Sequence, residues 1–209
     1  MKKILFLFLI LVSSDALADT AYDLYMSGNK AEGIAKWQDE ANNGNSSAKY
    51  VIGMLYNDSA QLGLCEIQDF CVFKKFSNYR KAKKIFEELY NEKSDPRAAY
   101  ALAEYYDDHP LIITNYKKAA QLYSFAAERG VPEAQYNIAN MYERGDGVKK
   151  DLIQSVRWYL QCNVSSLCAA GKEGIDDLIV QLTDEEFDYA KSLVDYEIED
   201  VDIRITVGR

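Results

Sequence analysis

The chain has 209 residues, 48% of them apolar, 27% charged and only three of them proline, which excludes a disordered or collagen-like polymer and allows a buried core. Its 24 basic side chains stand against 33 acidic ones, a net charge of −9, which excludes a binder of nucleic-acid backbones that relies on a basic surface. A single histidine, His109, removes every two-histidine metal site and leaves one imidazole for nucleophilic catalysis, and no motif calls for a cofactor.

At the N-terminus, Met1-Lys2-Lys3 precedes an uninterrupted apolar run from Ile4 to Val12, followed by Ala16-Leu17-Ala18. A basic start, a short apolar stretch and small residues at the cleavage positions predict a secretory signal peptide over 1–18. The competing reading is a retained anchor, but the run is about half of the roughly 20 residues a spanning helix needs. Asp19 rather than cysteine follows the cleavage point, so a lipid anchor is not supported. The expectation is a periplasmic chain, exported through a cleaved signal and not inserted in the membrane.

Export changes the reading of Cys65, Cys71, Cys162 and Cys168, because an oxidising compartment turns an even count into a disulfide framework. Three connectivities are open. Both neighbouring pairs have five residues between them, which makes Cys65–Cys71 and Cys162–Cys168 the economical pairing; a thiol nucleophile is the competing reading.

The chain repeats itself. Ala134, Tyr136, Ile138, Ala139, Met141 and Tyr142 recur 36 residues upstream as Ala98, Tyr100, Leu102, Ala103, Tyr105 and Tyr106, and again as Ala48, Tyr50, Ile52, Gly53, Leu55 and Tyr56. This spacing puts small, aliphatic and aromatic residues on one side of a helix. A second helix follows each time, with Ala82, Phe86 and Leu89, then Ala119, Tyr123 and Ala126, then Ser155, Tyr159 and Cys162. An earlier partial unit carries Gly33, Trp37 and Ala41. Small residues on one helix let the aromatic residues of its partner approach, and stacked hairpins make one continuous core. Asp95-Pro96 and Val131-Pro132 place proline at helix starts, where its missing N–H costs nothing.

The last copy runs from Ala134 through Tyr142 and Gly145-Asp146-Gly147-Val148 to Asp151, then Trp158-Tyr159. It resembles the Sel1-like repeat family, whose units turn through such a Gly-x-Gly-Val loop and carry an aromatic pair on the second helix. The tetratricopeptide repeat is a near neighbour, with a period of 34 residues and no such loop. The resemblance spans roughly residues 30–162 and implies an all-α solenoid of antiparallel helix pairs.

The expected organisation is a partial repeat over 19–44, repeats over 45–93, 94–130 and 131–164, C-terminal capping helices over 165–200 and a tail over 201–209. The loop after Tyr56 is 13 residues longer than its counterparts and contains Cys65 and Cys71, whose bridge would remove roughly 2 kcal/mol of unfolded-chain freedom. The second repeat has Asp107-Asp108-His109-Pro110 in place of the glycine turn, which leaves its helix–helix angle open. Ser165 to Gln181 reads as helical, and Thr183-Asp184-Glu185-Glu186 opens a last helix with an apolar stripe of Phe187, Ala190, Val194 and Ile198. Val201 to Val207 alternates like a strand; it reads either as a mobile tail or as a segment that adds to a partner's sheet.

Two Ser-x-x-Lys tetrads, Ser27 to Lys30 and Ser46 to Lys49, matter because some cysteine-rich Sel1-like proteins have been labelled β-lactamase-like. The supporting Ser-Asp-Asn and Lys-Thr-Gly motifs are absent, and Ser46 sits where a helix begins, as a cap would. No catalytic residue is assigned.

By analogy with tetratricopeptide arrays, the inner surface is expected to carry Tyr50, Met54 and Asn57, then Tyr100, Glu104 and Asp107, then Tyr136, Asn140 and Glu143. Amphipathic rings with acidic neighbours suit a protein or peptide partner and favour a basic one. The alternative is that these tyrosines merely pack between hairpins. The resemblance implies a non-enzymatic interaction module; exported relatives include immunity partners that mask a secreted antibacterial toxin. An adaptor in envelope assembly or polysaccharide export, and a cell-wall or β-lactam hydrolase, are the competing classes.

Overall fold

The computed structural model describes residues 21–57, 75–108, 112–165, 168, 175–176 and 178–199. The segment expected to be a signal peptide, Cys65 and Cys71, His109 and the alternating tail lie outside the described residues, as does most of 165–181. The fold is all-α: among the described residues every regular element is helical. After a short helical segment at 21–26 come α1 (Lys30–Asn42), α2 (Ser46–Asn57), α3 (Lys75–Lys93), α4 (Pro96–Asp108), α5 (Tyr116–Ala127), α6 (Pro132–Arg144), α7 (Leu152–Val164) and α8 (Asp184–Ser192).

Contacts divide the chain into two compact units, one ending at Ile52 and one beginning at Gly53, so that α2 passes from the first to the second. In the first unit Trp37 of α1 is fully buried, its ring centroid 5.4 Å from that of Tyr25. Gly33, one turn before Trp37, gives way to the backbone of the 21–26 segment: a Cβ there would lie 2.6 Å from the Ala21 carbonyl oxygen.

In the second unit each helix packs on its chain neighbours, α3 on α4, α4 on α5, α5 on α6, α6 on α7 and α7 on α8, the contact pattern of a helical-repeat solenoid. The core follows the repeat. Phe86, Tyr123 and Tyr159 of the second helices are buried, as are Leu102, Ala103, Ile138 and Ala139 of the first helices. Burying one such ring contributes about 1.5–3 kcal/mol. Gly53, in register with Ala103 and Ala139, leaves room for Phe86, whose Cε1 would lie 2.6 Å from an added Cβ.

The turns inside hairpins close identically in both repeats that can be compared. Asn115 N–H donates to the Tyr106 carbonyl at 2.7 Å, and 36 residues later Asp151 N–H donates to the Tyr142 carbonyl at 2.9 Å. Each of those residues also caps the next helix: Asn115 Oδ1 accepts from Lys118 N–H and Asp151 Oδ1 from Gln154 N–H, both at 3.0 Å. The second repeat thus reaches the same closure without the glycine turn. Either cap replaced by alanine is expected to cost about 1 kcal/mol in thermal denaturation, the typical loss of a side-chain acceptor at a helix start.

Both prolines begin helices, α4 at Pro96 and α6 at Pro132. Buried Asp95 accepts from Arg97 N–H and grips its guanidinium in a fork, Nε to Oδ1 at 3.0 Å and Nη2 to Oδ2 at 2.7 Å. At the start of α2 the sequence reading needs correction. Asn45, not Ser46, supplies the cap, its Oδ1 accepting from Ala48 N–H at 3.1 Å, because the cap must precede the first helical residue.

Cys162 and Cys168 form a disulfide at the end of α7. Helix α8 begins with a full capping box, Thr183 Oγ1 accepting from Glu186 N–H while Thr183 N–H donates to Glu186 Oε2. That hydrogen bond holds the Glu186 carboxyl below its ordinary range. The helix ends at Ser192, so Val194 and Ile198 are not on it as expected, although both are half-buried. Side chains of α7 take over the backbone there: Arg157 Nε donates to the Leu193 carbonyl at 3.1 Å, and the Gln161 amide both donates to Asp195 O at 2.6 Å and accepts from Asp195 N–H at 2.7 Å. The segment continues until the Glu199 carbonyl lies against Gly130, before α6.

Candidate protein-binding face

The residues expected to face a partner sit on the first helix of each hairpin, and the structure treats them unequally. Tyr50 is 2% exposed. It is buried together with Ala48, Val51, Ile52 and Leu55 of the same helix, so its ring is not offered to a partner. Met54 is half-buried, and Asn57 is exposed but accepts the Tyr105 hydroxyl at 2.6 Å.

Tyr100 and Tyr136, the next two in register, are half-buried. Each leans on the tyrosine 23 positions ahead: Tyr100 on Tyr123 with centroids 5.9 Å apart, and Tyr136 on Tyr159 at 5.6 Å. Tyr100 Oη donates to exposed Glu104 at 2.9 Å, while Asn140 Nδ2 turns back to its own helix at the Tyr136 carbonyl. One side of each ring therefore packs within its hairpin while its edge reaches the surface.

The third position of each set is an acceptor for a buried phenol. Tyr123 Oη donates to Asp107 Oδ2 at 3.3 Å, and Tyr159 Oη to Glu143 Oε2 at 3.2 Å. Burial is the main reason both hydroxyls stay protonated far into the alkaline range, and the neighbouring carboxylates reinforce it. In the preceding repeat the second helix supplies Phe86, which has no hydroxyl, and Asn57 instead serves Tyr105 of α4. A buried phenol needs a partner, and the repeat provides a polar residue at one fixed register for it.

Between α4 and α6 lies a cleft of about 230 Å³ lined by Asp107, Tyr136, Asn137, Asn140, Met141, Arg144 and Asp146. It joins three of the expected residues, Asp107, Tyr136 and Asn140. Arg144 and Asp146 escaped the sequence reading because they lie past the last position considered, at the end of α6 and in its turn. The two carboxylates outnumber the one guanidinium. Among the described residues no group of histidine, cysteine, aspartate and glutamate could hold a metal ion. Ser27 of the first Ser-x-x-Lys tetrad donates to the Leu24 carbonyl at 3.0 Å, and Lys30 lies over the Tyr25 ring, 5.6 Å from its centroid.

Stacked hairpins with a periodic surface edge define a helical-repeat scaffold. Two Sel1 repeats are recognised in it, over residues 96–131 and 132–161, and repeats of this family make protein–protein interaction modules. The structure is similar to a Sel1 repeat protein from Oxalobacter formigenes, with a TM-score of 0.62 and 19% identity over 86% of this chain and 64% of that one. It is also similar to a protective antigen of uropathogenic Escherichia coli strains that displays an SLR fold, with a TM-score of 0.56 and 19% identity over 87% of this chain. This chain spans 44% of that antigen. No curated protein is significantly similar in sequence. No helix among the described residues is long and apolar enough to cross a membrane.

Proposed function

We propose that the protein is a non-enzymatic periplasmic interaction module whose α4–α6 face grips a basic segment of a partner protein, and that the partner is a secreted antibacterial toxin which this chain masks as its immunity protein. The observation that carries the reading is the cleft at Asp107, Tyr136, Asn140 and Asp146, where the half-buried Tyr136 ring stands beside surplus carboxylates. A lysine or arginine entering there would find both ring and charge. The signal-like N-terminus supports export, and the family's exported members support immunity.

The test is to mix the purified mature chain with the product of an adjacent toxin gene. A stable equimolar complex at about micromolar concentration is expected, and Asp146→Lys is expected to weaken it about tenfold, an effect that fades as salt is raised. No complex at that concentration rejects the immunity role. A complex indifferent to both Asp146→Lys and salt rejects the basic epitope. Exposure to a labelled penicillin is expected to leave Ser27 and Ser46 unmodified; an acyl adduct on either, seen by mass spectrometry, would replace this reading with a hydrolase.

A further inference from the structure

The 36-residue register extends to surfaces the core does not use. Arg157 and Gln161 of α7, which hold residues 193–195, fall in register with Gln121 and Phe125 of α5, as Ser155 and Tyr159 do with Ala119 and Tyr123. On α7 this surface is covered by α8 and the extended segment after it, and Gln161 is only 3% exposed. On α5 the equivalent surface is open. It forms a groove of about 420 Å³ lined by Lys117, Ala120, Gln121, Ser124, Phe125, Glu128 and Arg129, with Gly147 and Val148 on its far wall.

The groove's chemistry is defined. Small Ala120 and Ser124 make its floor. Half-buried Phe125 makes a wall braced by two neighbours: Tyr90 meets it edge-on with centroids 5.1 Å apart, and the Arg129 guanidinium lies 3.6 Å from its centroid. Exposed Lys117 and Arg129 stand at its ends; Glu128, the one carboxylate in the lining, lies 3.9 Å from the Arg129 guanidinium, and Lys149 and Lys150 follow Val148 in the adjoining loop and leave the positive charge in excess. In a chain of net charge −9, this is a locally basic trough.

The occupant of the covered copy shows how such a surface holds a chain: by its backbone, with the occupant's acidic side chains left exposed. The segment 184–199 carries Asp184, Glu185, Glu186, Asp188, Asp195, Glu197 and Glu199 against Lys191 alone. It is held through backbone atoms, which any chain possesses, by Arg157 and Gln161. We infer that the α5 groove is a second interaction surface, which takes an acidic, partly apolar segment of a partner protein: its charge is matched by Lys117 and the neighbouring Arg129, Lys149 and Lys150, and its backbone is met by Gln121 in the place that Arg157 has on α7. Lys117 and Arg129 attract the segment, Gln121 pairs with its backbone, and Phe125 receives an apolar side chain. The surface shares no residue with the α4–α6 cleft, so it stands or falls independently of the basic-partner reading.

The probe is a fluorescein-labelled synthetic peptide with the sequence of residues 183–199, titrated into the full mature chain and followed by anisotropy and by amide NMR shifts. Saturable binding is expected, with shifts concentrated on 117–129 and 147–148. Lys117→Glu combined with Arg129→Glu is expected to weaken it about tenfold or more at low salt, while Gln161→Ala leaves it unchanged. The inference is overturned by absence of saturation at about millimolar peptide, by binding indifferent to the charge reversal, or by shifts confined to α7 with loss on Gln161→Ala, which would mean that the peptide only displaces the chain's own segment. It is equally overturned if the unlabelled chain dimerises through this groove, since the occupant would then be a second copy. The NMR map needs no variant, so a poorly folding double mutant does not leave the question unanswered.

Discussion

Gly147→Ala is expected to lower the stability by about 2–4 kcal/mol, a drop in Tm of about 4–16 °C, whereas Gly145→Ala two residues away costs about 1–2 kcal/mol. Both glycines have left-handed backbone, with φ of +70° at Gly147 and +84° at Gly145. The difference lies in what a side chain would meet. At Gly145 the nearest atom is the Lys150 Cβ at 3.3 Å, which can yield. At Gly147 an added Cβ would run into the Tyr116 carbonyl and lie 2.6 Å from Lys117 N, the first residues of α5, which cannot move without shifting a helix. The Gly-x-Gly-Val turn is therefore more than a way to reverse the chain: its second glycine lets one hairpin's loop settle on the previous hairpin. Equal losses in paired thermal or urea denaturations would show that only the backbone angle matters.

Tyr123→Ala is expected to destabilise by about 3–5 kcal/mol, enough to unfold a marginal domain, and Tyr123→Phe by about 1 kcal/mol. The alanine removes a ring that is 1% exposed and deprives Tyr100 of the ring it leans on; phenylalanine keeps the ring and loses only the bond to Asp107. The pH dependence follows from the same burial. Tyr123 and Tyr159 both have hydroxyl pKa values raised in the folded state, chiefly by desolvation. Folding thus favours the protonated form, so their contribution is intact below the ordinary phenol pKa of about 10 and is lost as pH climbs above it, where the unfolded chain ionises freely. Denaturation midpoints should stay level to about pH 9 and then fall, with the phenolate absorbance of these two residues appearing only together with unfolding. Titration of all tyrosines in a still-folded protein would contradict this.

The repeat was legible because helix packing imposes a period, and buried positions at that period admit few residue types. Ala98 and Ala134, Tyr123 and Tyr159, and the two prolines announce the hairpins without any structure. The surface was less so. Tyr50 matches Tyr100 and Tyr136 letter for letter, yet its exposure depends on what packs around α2, which a one-helix pattern does not encode. Asn57, Asp107 and Glu143 look like exposed polar residues, and only the partner helix reveals that each is committed to a phenol. The end of α8 is hidden from the sequence for a similar reason: the apolar spacing of Val194 and Ile198 continues, but the Asp195 N–H goes to the Gln161 amide on another helix instead of to its own helix.

The fastening of that final stretch has a bearing on how the array could grow. Its anchors are Arg157, Gln161 and the backbone at Gly130, each in the last hairpin or at its doorstep. A duplicated 36-residue unit spliced in upstream of Gly130 would leave the closure undisturbed, whereas one added after α7 would strip it away. Insertion between inner hairpins should therefore be tolerated where extension directly after α7 is not.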